Sequence, residues 1–557
     1  MNETPKNKRR WLSFVGKVFR WLFLVVGAIA TFTAGQFLIL RFIENSVPAE
    51  KTLYTLVNLV AIAFCLWLLS PVFRWIFPPF IRLTKCFFSK LFTWRILRRS
   101  LIGLAILATL IAIFYTEENW RGKRAWENCK REMEAKGAVL DWNAYIPPPV
   151  PDDQNFFKAP NMQKWFVKNL HATTNELMIL MTNVEKTVVI TNKADAANFL
   201  AWSDQFQPDF DLMRDALTRL YARMDGNYSQ PLDVPIPHFV NMRSVAQVLA
   251  QRTKCYLLLG QPEKALHEIT LLDDSRRLLE AAPTGKPMTL VAAMINVAIT
   301  GLYVETVADG LRKNAWQEPQ LVALQKQFKE INLLPVVLEA FEDEIAAHSF
   351  TMINTPPREL ADQKILWIGG STNLFQRLKD PEFVFLSFAP RGWVYQNMVV
   401  HATTMQRDIQ SYDPAGQLIF PSAAIEREKR IHSRNKWNPY SFLDTTFLPN
   451  LIKATQTLAY NQTLVNEAQI VCALERYHLA HGEYPETLEA LVPQFIEKLP
   501  HDTIGGQPLH YRRTDNGKFL LYSVGWNEMD DGGQVALKKD GSEDREKGDW
   551  VWQYPMK

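Results

Sequence analysis

The residues nearest to a reactive pairing are two carboxylate doublets and one pair of histidines. Asp152-Asp153 and Asp273-Asp274 set acids side by side, as acid–base work requires when one carboxyl is to keep a proton that its neighbour has lost. Both doublets fall where solvated loops or helix faces are expected, with no adjacent motif to shift a pKa, so catalysis is the weaker reading. His478 and His481 stand three apart on one helix and could share a metal, but they immediately precede Gly482, where a helix ends and a cationic His favours the dipole. Capping or packing is the stronger reading. Trp165, Trp202, Trp316 and Trp393 could line a glycan or peptide groove, yet they are scattered, which suits core packing better. The chain has no GxGxxG, no Gly-rich loop ending in Gly-Lys-Ser/Thr, no HExxH and no GxSxG, and no catalytic residue is assigned.

Composition bounds what must position any such group. The 557 residues carry 62 Lys and Arg against 58 Asp and Glu, a net charge of +4, and much of the basic excess lies beside apolar runs near the N-terminus. A nucleic-acid footprint is not supported. Mean hydropathy is -0.13, an average over an apolar stretch at 21–115 and a mixed, globular stretch at 116–557. Of five cysteines, Cys65 lies in an apolar run and Cys86 in a basic stretch; Cys129, Cys255 and Cys472 allow one disulfide at most, so no disulfide framework is expected.

After a basic tail, residues 1–20, three runs are expected to cross a membrane: 21–41, 53–73 and 100–115, the first about 20 residues and uncharged from Trp21 to Leu40. A cleaved signal peptide is the alternative for the first run, but its apolar stretch continues past the small residues a peptidase would use, which favours an uncleaved anchor. The N-terminal tail carries Lys6, Lys8, Arg9, Arg10, Lys17 and Arg20, and the loop 74–99 carries seven Lys and Arg with no acid. Basic residues stay cytoplasmic, so the order is in, out, in, out, and the chain after Tyr115 is exported. The expected location is the bacterial inner membrane, multi-pass, with the C-terminal part periplasmic or extracellular. The loop 74–99 mixes Phe, Leu and Trp with Lys and Arg; it reads either as an interfacial helix on anionic lipid or as a topogenic loop.

Residues 116–160 read as a stalk helix, Trp120 to Lys136 with Gly137 as C-cap, followed by a Pro-rich spacer, IPPPVPDDQNFF. Residues 161–440 read as a mainly helical domain. Arg243 to Ala347 has apolar residues recurring at three and four, broken at Gly260-Gln261-Pro262 and at Asn314 to Pro319. Tyr256, Gly260 and Ala265 resemble one tetratricopeptide helical hairpin, over a single unit. Between 354 and 440 the best element is a helix from Arg391 to Gln410.

Residues 441–557 hold the most specific pattern. A helix of about 25 residues through LVNEAQIVCALERYHLAHG, with Leu464, Ala468, Val471, Cys472 and Leu479 on one stripe, is followed by strand-like Pro508 to Arg513 and Lys518 to Val524, joined through Asp515-Asn516-Gly517. Tyr477, the turn Gly482-Tyr484-Pro485, Leu488, Leu491, Pro500, Asp502, Tyr511, Tyr522-Ser523-Val524-Gly525 and Asp549-Trp550 occur in order. In that set the chain resembles the globular domain of the major pseudopilin of type II secretion systems. The resemblance implies a spine helix packed on a small antiparallel sheet. It does not imply a pilus subunit, because the helix is internal, partly charged through Glu467, Glu475 and Arg476, and has no leader. It further implies a calcium ion held by Asn527, Asp530, Asp531 and Asp549, with Asn527 where the family has an Asp; a flexible acidic hairpin loop is the competing reading.

The fold class expected is therefore membrane-anchored: three transmembrane helices, a mainly α-helical exported region and a small α+β pilin-like end that folds as its own cis-attached unit. The function expected is that of a non-catalytic bacterial envelope protein serving protein interaction or assembly. The alternative is a membrane-anchored envelope enzyme with an unrecognised site in the helical middle.

Overall fold

The computed structural model describes residues 94–167, 190–280, 289–356, 359, 387–432, 438–441, 451–515 and 517–552. The expected spans 21–41 and 53–73, and most of the basic loop, lie outside them. The chain divides into two compact units, 1–111 and 112–557. The described part is mostly helical, with a small region of sheet at its C-terminal end.

Helix α1, Trp94–Glu134, is 41 residues long, about 60 Å at 1.5 Å per residue. It begins before the apolar run expected at 100–115 and continues without a break through the expected stalk. Gly137 closes the following turn with φ 94°, as a C-cap should. Leu101, Leu104, Ile106, Leu107, Leu110 and Ile113 are all exposed. The segment 116–160 is not a free spacer: Trp126, Met133, Leu140, Phe156 and Phe157 are buried in the main core, and the Phe156 amide donates to the Tyr221 carbonyl at 2.7 Å. The prolines do keep this stretch extended or in short turns, but the aromatic residues after them dock it.

The body is built from α2 (Met162–Phe166), α3 (Lys193–Ser203), α4 (Gln207–Ala216), α5 (Phe239–Leu258), α6 (Pro262–Arg277), α7 (Leu290–Arg312), α8 (Glu318–Glu330), α9 (Leu333–Asn354) and α10 (Arg391–Ile409). Starts are set by local chemistry. Asn192, Thr289 and Asn332 accept amide hydrogens in the first turns of α3, α7 and α9, Gln317 and Gln320 form a reciprocal box at α8, and Pro opens α6. The hairpin expected around Gly260 is present: α5 and α6 pack along their length, Gly260 turns the chain at φ 75°, and Ala265 is fully buried between them. Helix α7 is central, packing on α5, α6, α9 and later α12. Trp165 and Trp316 are buried and Trp202 is packed against the core, as expected of scattered Trp residues.

After α10 come a short hairpin, β1 (Tyr412–Asp413) and β2 (Leu418–Ile419), then α11 (Pro421–His432) and α12 (Leu451–His481). The sheet elements are β3 (His510–Arg513), β4 (Phe519–Ser523), β5 (Val535–Leu537), β6 (Glu543–Gly548) and β7 (Trp550–Trp552). The strands β3, β4 and β7 form one antiparallel sheet in that order, and β5 pairs with β6. Helix α12 packs on β4 and β7, the arrangement expected of a spine helix. It also packs on α7 and α8, so it is enclosed on more sides than one stripe can serve. Gln325 donates to the Phe495 carbonyl at 2.8 Å, Gln462 accepts from the Leu333 amide at 2.8 Å, and Arg476 binds Glu318 and Gln325, each at 2.8 Å. The boundary expected at 440/441 is thus crossed by a shared core. Leu479, placed on the buried stripe by its spacing, is exposed because the helix ends two residues later, at His481.

Candidate functional site

The C-terminal sheet carries the residues that sequence reasoning singled out. Asp549 begins β7's approach and is buried at 1% exposure; its carboxylate accepts the Asp531 amide at 3.1 Å and the Gly533 amide at 2.6 Å. Asp530 accepts the Gly532 amide at 2.8 Å and the Tyr522 hydroxyl at 3.0 Å, with His510 3.6 Å away; the Gly532 bond, with Tyr522 and the nearby His510 and Arg512, holds its carboxyl below the usual range. Asn527 donates its side-chain amide to Asp531 at 2.9 Å and accepts the Met529 amide at 3.3 Å. The structure therefore brings all four residues of the expected calcium set into one loop.

Those oxygens are directed at the loop's own N–H groups. Asp549 performs for the loop what a capping residue does for a helix, and Asn527 turns its donor group, not its oxygen, toward Asp531. Among the described residues no group of three or more His, Cys, Asp or Glu side chains is placed to hold a metal ion. The residues present do not, as arranged, form a converging oxygen cage of the kind a hard cation takes.

Two further carboxyls lie beneath this loop. Asp502 is 1% exposed and ties the turn after Pro500 to the end of β4, accepting the Ser523 hydroxyl at 2.8 Å, the Ile504 amide at 2.9 Å and the Val524 amide at 3.2 Å. Burial pushes its pKa up, and those same bonds pull it down. Glu467 on α12 is fully buried, and among the described residues neither of its oxygens has a hydrogen-bond partner. Burial, and then the acidic neighbours Asp502 and Glu543, raise its pKa well above the ordinary carboxylate value, so it is held as the neutral acid. Sequence reading took it for part of a charged helix; nothing in one sequence marks a glutamate as facing inward on a helix enclosed by two layers.

The remaining candidates resolve differently. Asp152 and Asp153 are exposed, as expected, but Asp273 is buried and ion-paired with Arg276 at 2.7 Å, itself bound to Glu280 at 2.7 Å. Its partner stands one helical turn on, at i+3, so Asp273 belongs to a structural ion pair rather than a solvated face, while Asp274 lines a cleft. His481 donates from Nδ1 to the Tyr477 carbonyl at 3.0 Å and stacks on Tyr477, while His478 stacks on Tyr484 with centroids 4.5 Å apart. Cys129, Cys255 and Cys472 are free thiols, each buried. Within the body, a cleft of about 330 Å³ is lined by Arg214, Glu263, Leu266, His267, Thr270 and Asp274. Arg214 of that lining reaches buried Glu268 at 3.5 Å; Glu268 also holds Arg252 at 3.2 Å, and Arg252 donates to Ser203 at 2.7 Å and Asp204 at 3.0 Å.

Comparison with protein-family models, with characterised proteins and with solved structures finds no match for this chain.

Proposed function

We propose that this chain is a bacterial envelope protein, anchored in the inner membrane by three spans with its N-terminus cytoplasmic, whose exported helical body and pilin-like end act by binding protein partners rather than by catalysis. The observation that carries this reading is the apolar run of α1. Two described helices are long and apolar enough to cross a membrane; α7 is 61% buried within the body over its most apolar stretch, whereas that of α1 is 0% buried. The Lys and Arg asymmetry supports the orientation, and the basic loop 74–99 is suited to lie on anionic lipid. The spine helix on an antiparallel sheet, together with the ordered set of residues from Tyr477 to Trp550, supports the pseudopilin-like reading of the C-terminal end. In intact spheroplasts, a membrane-impermeant maleimide should label a cysteine placed at Leu220, which is 70% exposed, and not one placed at Lys90. The reverse pattern would overturn both the orientation and the exported body.

One observation favours a second, catalytic reading. The cleft on α6 gathers Arg214, Glu263, His267, Thr270 and Asp274, and burial together with Asp273 raises the pKa of Asp274. Turnover of an envelope substrate that disappears in both His267→Ala and Asp274→Asn, with the melt unchanged, would establish it.

A further inference from the structure

The end of the apolar run is fastened to a distant piece of chain. Tyr115 donates its hydroxyl to the Phe388 carbonyl, and Phe114 meets Trp393 edge-on with centroids 6.1 Å apart. One turn on, Glu118 is 5% exposed and accepts from Arg121 at 2.7 Å, from the Trp393 indole at 2.9 Å and from the Tyr440 hydroxyl at 3.2 Å. Asn119 accepts the Gly392 amide at 2.8 Å. Gly122 and Gly392 stand where a Cβ would collide with the opposing backbone, so the start of α10 lies directly against α1. The polar atoms of this clamp are turned inward on one another. Outward it presents Phe388 at 68% exposure, Trp120 at 62% and Phe114 at 43%, with the charged Glu117 and Arg121 exposed among them and the Arg124 guanidinium 5.4 Å from the Trp120 ring.

The length of the run gives these side chains an occupant. Arg99 and Glu117 bound an uncharged stretch of 17 residues, Ser100 to Thr116, or about 25 Å of helix against a hydrocarbon layer of ~30 Å. A span shorter than the layer is met by local thinning and by drawing its flanks toward the interface. Arg98 and Arg99 can snorkel at one end. At the other end, whatever is clamped to Tyr115 is drawn in with it, and that is Phe388. Aromatic side chains are the residues favoured at headgroup level.

We propose that Phe388, with Phe114 and Trp120, seats the exported body on the outer interface of the same bilayer that α1 crosses, so that the body rests on the lipid at a fixed height instead of standing off on a stalk. This rests on the membrane anchoring proposed above. The test uses the full chain with Cys65→Ser and Cys86→Ser, since the other cysteines are buried. Single cysteines replacing Leu107, Leu220 or Phe388 carry a polarity-sensitive fluorophore in phosphatidylethanolamine–phosphatidylglycerol vesicles containing nitroxide at a shallow or a deep acyl position. The expected result is strong quenching at 107 by the deep nitroxide, and quenching at 388 by the shallow nitroxide several-fold above that at 220. Quenching at 107 with none at 388 beyond the level at 220 overturns the seating and leaves the anchor intact; no quenching at 107 overturns the anchor and the seating together.

Discussion

Helices α1 and α7 are about equally apolar over their best stretch, yet that stretch is exposed in α1 and mostly buried in α7, at the centre of the body. The contrast teaches that apolarity fixes only that a helix must leave water. What covers it is decided by its flanks and by which other helices carry matching faces. Around α7 the cover is α5, α6, α9 and α12, and its small residues let them approach: a Cβ on Gly301 would strike Asn461 of α12. The run of α1 has Arg98 and Arg99 before it and Glu117 and Glu118 after it, and its large side chains point outward on every side. Helices in lipid present such a surface.

The contrast breaks most visibly by placing one acid in each helix. Val297→Asp puts a carboxylate at a fully buried position of α7 and should cost about 4 kcal/mol or more, enough to unfold a marginally stable body in urea melts followed by Trp fluorescence. Ile106→Asp, at an exposed position of α1, should leave that melt unchanged. On the anchoring proposed above, its cost of about 2.5–3.5 kcal/mol falls on membrane insertion, and export of a reporter fused after residue 220 should drop. Equal loss of folding in both variants would mean that α1 is covered by protein after all.

A smaller effect separates the two faces of α12. Glu467 is fully buried and holds its proton to a higher pH in the folded chain than in the unfolded one. Between the ordinary carboxylate range and that raised value the unfolded state binds fewer protons, so stability falls as pH rises through this window and is unaffected below it. The wild-type melting temperature should therefore decline from acid toward neutral pH, while Glu467→Gln should flatten that slope in part, the rest belonging to Asp408 and Glu475, whose carboxyls burial pushes up to about 7, and should be the more stable protein at pH 8, on the order of 1–3 kcal/mol. A steeper slope in the variant would sink the assignment of a neutral buried acid.

Much of this architecture was legible in the residues, because the strongest signals are local. The Gly260 turn, the helix beginning at Arg391, the hairpin through Gly517 and the C-cap at Gly482 each follow from backbone chemistry that does not depend on distant chain. What escaped was tertiary. Asp273 reads as a solvated acid and Glu467 as one charge of a partly charged helix, since a buried charge differs from an exposed one only in what packs against it. The packing of the C-terminal helix against the helical middle was hidden for the same reason. The stripe of α12 that faces the sheet was visible, but its second face, against α7, α8 and the start of α9, includes Asn461, Gln462 and Arg476, whose polarity conceals their contacts.

The smallest effects lie in the loop from Asn527 to Gly533, where two acids of the same expected ligand set should behave differently. Asp549 is buried and bonds two backbone amides, so Asp549→Ala leaves both unmade in a part-buried site and should cost about 1–3 kcal/mol. Asp530 is about half exposed, and water can replace its bonds to Gly532 and Tyr522, so Asp530→Ala should cost under about 1 kcal/mol. An ion bridging these carboxylates would erase that difference, because removing either ligand would release the same cation. The comparison is therefore made on the full chain with millimolar calcium and again with chelator. The unequal losses should persist under both conditions, with the wild-type melt unmoved by calcium. A calcium-dependent rise in melting temperature, abolished equally by either substitution, would put a metal in the loop and show that the hydrogen bonds described here belong to its apo form.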